Sequence, residues 1–296
     1  MLKTEMRNPK TMHVDQMSPL EICRVMNEEN RNAVDAVQQV LPQIAAAVDG
    51  VTAAFAAGGR LFYMGAGTSG RLGVVDASEC PPTFGVSPDL VQGIIAGGDQ
   101  ALRTAVEGAE DSETLPVEDL KARGLCDKDA VVAISASGYA PNCEAALKYA
   151  RSVGALAIAL SCNTGARTSA EADIAIEAPT GSEVLSGSTR LKAGTATKLI
   201  LNMLSTGAMV QLGKCYKNLM VDVKATNVKL RDRSIRITMN ATGLDRAAAE
   251  ALYEQAGGIK AAIVMHETGA ARSRAEDALS ACGGNVRAAI AFIGQK

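Results

Sequence analysis

Two glycine-rich loops bearing hydroxyls and a handful of carboxylates are the residues here whose types and spacing could do chemistry. Gly65-Ala66-Gly67-Thr68-Ser69-Gly70 fits G-x-G-x-x-G and follows the apolar run Arg60–Met64. A dinucleotide site is the first reading, but it requires an acidic residue about 20 positions on, at the end of the second strand. Asp76 comes too early, and Asp99 comes too late and reads as a helix cap. A P-loop is excluded because the motif continues Gly-Arg-Leu instead of Gly-Lys-Ser/Thr. Thr68 and Ser69 instead set two hydroxyls beside backbone N–H groups at a helix N-terminus, which makes a phosphate cradle. Ser135-Ala136-Ser137-Gly138 repeats the device after another apolar run, Ala130–Ile134. Either loop alone could simply cap its helix; together, on neighbouring strands, they would face one crevice.

The carboxylates come next. Glu79 lies in Asp76-Ala77-Ser78-Glu79-Cys80-Pro81-Pro82, where two prolines are expected to end a helix. Glu107 and Glu110, in Val106–Ser112, are expected at i and i+3 on one helix face. Such a cluster is either an acidic surface turn or a pair of carboxylates, one protonated and one ionised, acting as general acid and general base. Glu183, in Gly181–Gly187, is expected at the end of a fifth strand, just before a long helix. Cys80 has no basic neighbour in sequence and reads as a buried thiol. The only two histidines, His13 and His266, argue against a His-based metal site.

These residues need elements to position them. Residues 18–57 read as helical, with Ser18 as cap, Pro19 at the first position, Glu21 at the third and Gly58-Gly59 as a stop. Five short apolar runs then follow: Arg60–Met64, Val91–Ala96, Ala130–Ile134, Ala155–Leu160 and Ala172–Ile176. Between them lie helical stretches such as Asp99–Glu110 and Pro141–Ser152. This alternation predicts right-handed βαβ units, hence an α/β fold with a doubly wound, five-stranded parallel sheet of order 2-1-3-4-5. A helix over about Thr189–Leu212, capped by Ser188 or Thr189, is expected to bury Leu191, Ala196, Leu199, Met203, Ala208 and Leu212. Beyond it come short Ala-rich helices punctuated by Gly258, Gly269 and Gly283-Gly284. The expected organisation is an N-terminal helical segment (1–57), a phosphate-binding sheet domain (58–214), a connecting segment (215–237) and a helical subdomain (238–296).

Composition narrows the class. In 296 residues, 30 Lys plus Arg oppose 32 Asp plus Glu, for a net charge of −2, with five Tyr, four Phe and no Trp. Neither a basic excess nor stacking platforms for nucleic acid are present. No apolar run approaches the roughly 18 residues of a membrane span, and the polar opening MLKTEMRNPKTMHVDQ predicts no signal peptide. Seven scattered Cys without a CxxC fit reduced thiols. A soluble cytoplasmic protein is expected.

Long strings of this sequence resemble one family. GAGTSGRLGVVDASECPPTFGV (65–86), AVEGAEDS (105–112), SASG (135–138), GSTRLKAGTATKLILNMLSTGAM (187–209) and NLMVDVKATNVKLRDR (218–233) are similar to the N-acetylmuramic acid 6-phosphate etherases, as is the opening Thr4–Pro9. The resemblance runs essentially end to end. It implies the sugar isomerase (SIS) fold and cleavage of the substrate's D-lactyl ether, giving N-acetylglucosamine 6-phosphate and D-lactate in cell-wall recycling. It further implies Glu79 and Glu110 as catalytic carboxylates and no metal or redox cofactor. Substrate and phosphate contacts are expected from Gly67, Thr68, Ser69, Gly70, Ser135, Ser137, Gly138, Glu107 and Glu183. Ten helical residues would put Glu79 roughly 15 Å from Ser69, so either the helix breaks early or a second subunit of a homodimer completes the site. Two rival functions are a non-catalytic phosphosugar sensor, as the glucokinase regulatory protein resembles this family, and an aldose–ketose isomerase with Glu183 as base.

Overall fold

The structure, a computed structural model, describes residues 2–223, 225 and 227–295. It separates into two compact units, one formed by Met1–Ser78 and Pro88–Gly207, the other by Glu79–Ser87 and Ala208–Lys296.

The first unit opens with short turns that end at Ser18, which caps α1 (Pro19–Gln39) in a reciprocal capping box with Glu21. The stretch expected to be helical over 18–57 forms two helices, with Val40 between α1 and α2 (Leu41–Ala56). Pro42, with no N–H to donate one turn back, accounts for the break. The strands are β1 (Leu61–Gly65), β2 (Val91–Ile95), β3 (Ala130–Ile134), β4 (Leu156–Ser161) and β5 (Ile174–Glu177), all parallel in the order β2-β1-β3-β4-β5. This is the order expected. Every residue of β1 and β3 is buried, because helices cover both faces and leave no position that favours a polar side chain.

Between β1 and β2 runs α3 (Gly67–Phe84), with α4 (Leu115–Ala122) before β3 and α5 (Pro141–Ser152) after it. The prolines at 81 and 82 do not end α3; it continues to Phe84. They fall in the last turn, so the two i→i−4 bonds they forgo leave little helix beyond them to be broken. Buried Asp76 of α3 accepts hydrogen bonds from the Tyr63 hydroxyl of β1 (2.9 Å) and Asn202 Nδ2 (2.6 Å). Burial raises its pKa, and hydrogen bonds from Asn202, Ser205 and Tyr63 partly offset the effect.

The long helix α6 runs Lys192–Gln211. Its cap is neither Ser188 nor Thr189 but the Glu183 carboxylate, which accepts from Ala193 N (2.9 Å) and Lys192 N (3.2 Å). The stripe is also corrected. Ala196 and Ala208 are buried as expected, together with Ala193, Ile200, Leu201 and Leu204, whereas Met203 is exposed. Apolar residues surround α6 on nearly every face, so spacing alone did not single out the buried one.

In the second unit, β6 (Cys215–Tyr216) and β7 (Leu219–Met220) form an antiparallel hairpin. Five helices follow: α7 (Val228–Thr242), α8 (Arg246–Ala256), α9 (Ile259–Thr268), α10 (Arg272–Ala281) and α11 (Val286–Gly294). Asn227, Asp245 and Asn285 cap α7, α8 and α11. The core lies on α9, where Ile259 and the run Ala261–Met265 are all buried. Helix breaks fall at the expected glycines. Among the described residues no helix is long and apolar enough to cross a membrane.

Candidate active site

The carboxyl ends of β1 and β3 are neighbours at the point where the sheet order reverses, and a cleft of about 230 Å³ opens there. Gly67, Thr68 and Ser69 line it from the first turn of α3, and Ser135 and Ser137 line it from the loop after β3. The two hydroxyl loops thus face one crevice, as their placement on adjacent strands requires. Thr68 and Ser69 are half-buried and their hydroxyls have no protein partner among the described residues. Ser135 is buried, and its Oγ accepts from Gly138 N at 3.0 Å while lying 3.2 Å from Ser137 Oγ. Ser137 Oγ accepts from Tyr139 N at 3.2 Å. Ser135 therefore holds the shape of its loop, and Ser137 is the hydroxyl closer to solvent.

Gly70 and Gly138 do not line the cleft; they shape it. A Cβ on Gly70 would stand 2.4 Å from Gly65 O, so only glycine lets α3 start this close to β1. The helix expected over 99–110 is absent. A short turn over Asp99–Leu102 is followed by irregular backbone, with Gly108 at φ +73°, a conformation that ends helical geometry. Glu107 and Glu110 are consequently exposed on a loop and share no helix face. Glu110 lines the first cleft and also a second, about 240 Å³, that Glu107 lines with it.

Glu79 is exposed, ten residues past Ser69 on the unbroken α3, and is not among the residues lining either cleft. That separation corresponds to roughly 15 Å of helical rise. Glu183 lines neither cleft. It is fully buried as the cap of α6; burial raises its pKa, opposed by the backbone N–H groups of Ala193 and Lys192. Cys80 is buried, as expected.

Sequence reasoning missed Glu5, Thr189, Gly194 and Thr197, which also line the first cleft. The signal was available: Glu5 stands in the Thr4–Pro9 string and the other three in Gly187–Met209. The N-terminal segment is fastened in place. Thr4 N donates to Asn163 Oδ1 (3.3 Å), while Asn163 Nδ2 donates to Thr4 Oγ1 (3.0 Å) and to the carbonyls of Ala136 and Ser137 (both 3.2 Å). One side chain therefore ties the segment carrying Glu5 to the Ser137 loop. Further along, Asn8 Nδ2 donates to Glu29 (2.8 Å), and the Thr11 hydroxyl donates to Val184 O (2.8 Å). Glu29 is buried and also accepts from Lys192 Nζ (2.6 Å) and Lys10 Nζ (2.8 Å). Burial works against its charge, but hydrogen bonds from Lys10, Lys192 and Asn8 prevail and hold its pKa down to about 2.

A five-stranded parallel sheet with hydroxyl-lined loops at its switch point defines an SIS-type fold. Matching bears this out: residues 43–151 fit the family model of the glucokinase regulatory protein N-terminal SIS domain, and residues 120–207 fit that of the SIS domain. The phosphoheptose isomerase of Francisella tularensis shares the fold, with a TM-score of 0.54 and 22 % identity over 66 % of this chain and all of that one. More specifically, the chain belongs to the N-acetylmuramic acid 6-phosphate etherase family. It is 52 % identical over 290 residues to the etherase of Geobacillus sp. (strain WCH70), covering 98 % of both chains. It is 57 % identical over 265 residues to that of Pectobacterium atrosepticum, covering 89 % of this chain and 88 % of the other.

Proposed function

We propose that this protein is a carbon–oxygen lyase that cleaves the D-lactyl ether of N-acetylmuramic acid 6-phosphate, giving N-acetylglucosamine 6-phosphate and D-lactate. The observation that carries the reading is the identity of 52 % over 98 % of both chains with a named etherase. The cleft supports it with hydroxyls from two loops and two carboxylates, Glu5 and Glu110.

The chemistry explains those residue types. The 6-phosphate sits among the Thr68, Ser69 and Ser137 hydroxyls and the N–H groups at the start of α3, where the helix dipole favours an anion. Ring opening exposes a C1 aldehyde, which acidifies the proton on C2. Glu110 removes that proton; the C3–O bond breaks as Glu79 protonates the ether oxygen, and lactate departs. Water then adds at C3 of the unsaturated aldehyde and C2 regains a proton. Both steps are general acid–base catalysis by carboxylates in opposite protonation states.

The remote position of Glu79 along α3 supports a homodimer in which a second copy completes the site. A cytoplasmic location accords with the reduced thiols and the cytosolic sugar phosphate. Residues 43–151 also favour a second reading, phosphosugar sensing, because they match the glucokinase regulatory protein SIS model. Lactate release from N-acetylmuramic acid 6-phosphate by the purified protein separates the two: the etherase releases lactate with the sugar phosphate in equal amounts, and a sensor binds the sugar phosphate without releasing any.

A further inference from the structure

The second cleft adjoins the first. Ala66, Gly67 and Glu110 line both, so Glu110 stands in the wall between them. Their other linings differ in kind. The first offers hydroxyls and no Lys or Arg; Arg71 is the one cation lining either. Helical geometry sets this division. Arg71 follows Ser69 by two residues, about 200° around α3, so Ser69 lines the first cleft and Arg71 the second.

Arg71 is also held in place. Its Nε donates to Leu102 O at 2.9 Å and its Nη2 to Ala101 O at 2.6 Å, while Nη1 has no partner among the described residues. The guanidinium plane is thus fixed with a donor to spare, and little side-chain freedom remains to be lost on binding an anion. Exposed Glu107, Glu110 and Asp111 also line this cleft and oppose a bare anion, so admission depends on a directed contact to Arg71.

The proposed substrate carries two anionic groups: the 6-phosphate and the carboxylate of the lactyl arm on C3. We propose that the second cleft receives the lactyl arm and that Arg71 holds its carboxylate, leaving Glu110 at the junction between arm and sugar. The proposal rests on the etherase reading. It makes Arg71 a specificity-determining residue that distinguishes a lactyl-bearing sugar phosphate from the product that has lost the arm.

The test compares wild type with Arg71→Met and Arg71→Lys on three ligands: N-acetylmuramic acid 6-phosphate, its lactyl carboxamide, and N-acetylglucosamine 6-phosphate. Loss of a charge-assisted hydrogen bond lowers kcat/KM for the acid by roughly 10–100-fold in Arg71→Met. Inhibition by N-acetylglucosamine 6-phosphate, which lacks the arm, stays within about twofold of wild type. Arg71→Lys, which keeps the charge without the fork, falls between the two. Wild type prefers acid to carboxamide, and Arg71→Met abolishes that preference. Equal losses for the acid and for the arm-less product would show that Arg71 only braces the Ala101–Leu102 turn. Indifference of wild type to acid against carboxamide would likewise overturn the proposal. Should wild type release no lactate, the etherase reading fails on its own; calorimetric affinities for the same ligands still decide the role of Arg71.

Discussion

The two carboxylates proposed to be catalytic differ in surroundings as well as in role. Glu110 lines two clefts, and Glu79, exposed on α3, lines neither. Replacing Glu79 by Gln keeps size and hydrogen bonding but removes the transferable proton, so ether cleavage falls by roughly 10²–10⁴. Proton exchange at C2 separates the roles, because it reports deprotonation without C–O cleavage. In D₂O, with N-acetylglucosamine 6-phosphate as probe, the Glu79→Gln protein continues to exchange and Glu110→Gln does not; the reverse pattern would exchange acid and base. In the cradle, Ser69→Ala and Ser137→Ala each weaken substrate binding by roughly 1.5–3 kcal/mol, the range for a hydrogen bond to a charged group. Inhibition constants for N-acetylglucosamine 6-phosphate check this, and unchanged constants would remove those hydroxyls from the phosphate site. That Thr68, Ser69, Ser135 and Ser137 face one cleft was legible in the sequence, because glycine and hydroxyl spacing on neighbouring strands marks such loops. Glu5 was marked only by its place in the Thr4–Pro9 string, since nothing else local singles out a lone glutamate in a polar opening; its position follows from Asn163, 159 residues away from Thr4.

Elements were legible where one local signal governed them. The strands and α5 have a single reading because apolar runs bounded by Gly, Ser and Pro can be buried in only one way, and their strand order follows from alternation. Misreadings occurred where tertiary partners decide. The Glu107–Glu110 segment has helical spacing, yet Gly108 takes a left-handed conformation. The cap of α6 lies nine residues upstream in Glu183, beyond any local capping rule. That correction has a consequence. Glu183→Ala leaves two buried N–H groups without an acceptor and destabilises the fold by about 1–3 kcal/mol, seen as a lower urea midpoint, whereas Glu183→Gln retains an acceptor and retains turnover. Loss of turnover in a stable Glu183→Gln protein would revive its role as an isomerase base. Glu29 makes a prediction in pH. Its folded pKa lies near 2, below the ordinary value of 4.5, so its contribution is full above the unfolded value and is lost as pH falls towards the folded one. The stability advantage of wild type over Glu29→Gln should be constant near neutrality and shrink between about pH 4.5 and pH 2. A difference that does not change across this window would contradict the buried ion-pair account.

At the scale of the whole molecule, the residues of the proposed cradle and Glu110 lie in the first unit, while Glu79 belongs to the second unit. The proposed homodimer is tested by complementation: an inactive Glu79→Gln protein mixed with an inactive Ser137→Ala,Ser69→Ala protein regains part of its activity after subunits exchange. No recovery, with exchange demonstrated, would place a complete site within one chain. The central claim is elimination followed by water addition, and the direct measurement is the reaction of N-acetylmuramic acid 6-phosphate run in D₂O. The account predicts D-lactate and N-acetylglucosamine 6-phosphate in equal amounts, with deuterium at C2 of the sugar phosphate from the first turnover. Lactate released with protium retained at C2 would contradict the mechanism, and sugar phosphate bound without any lactate released would contradict the function.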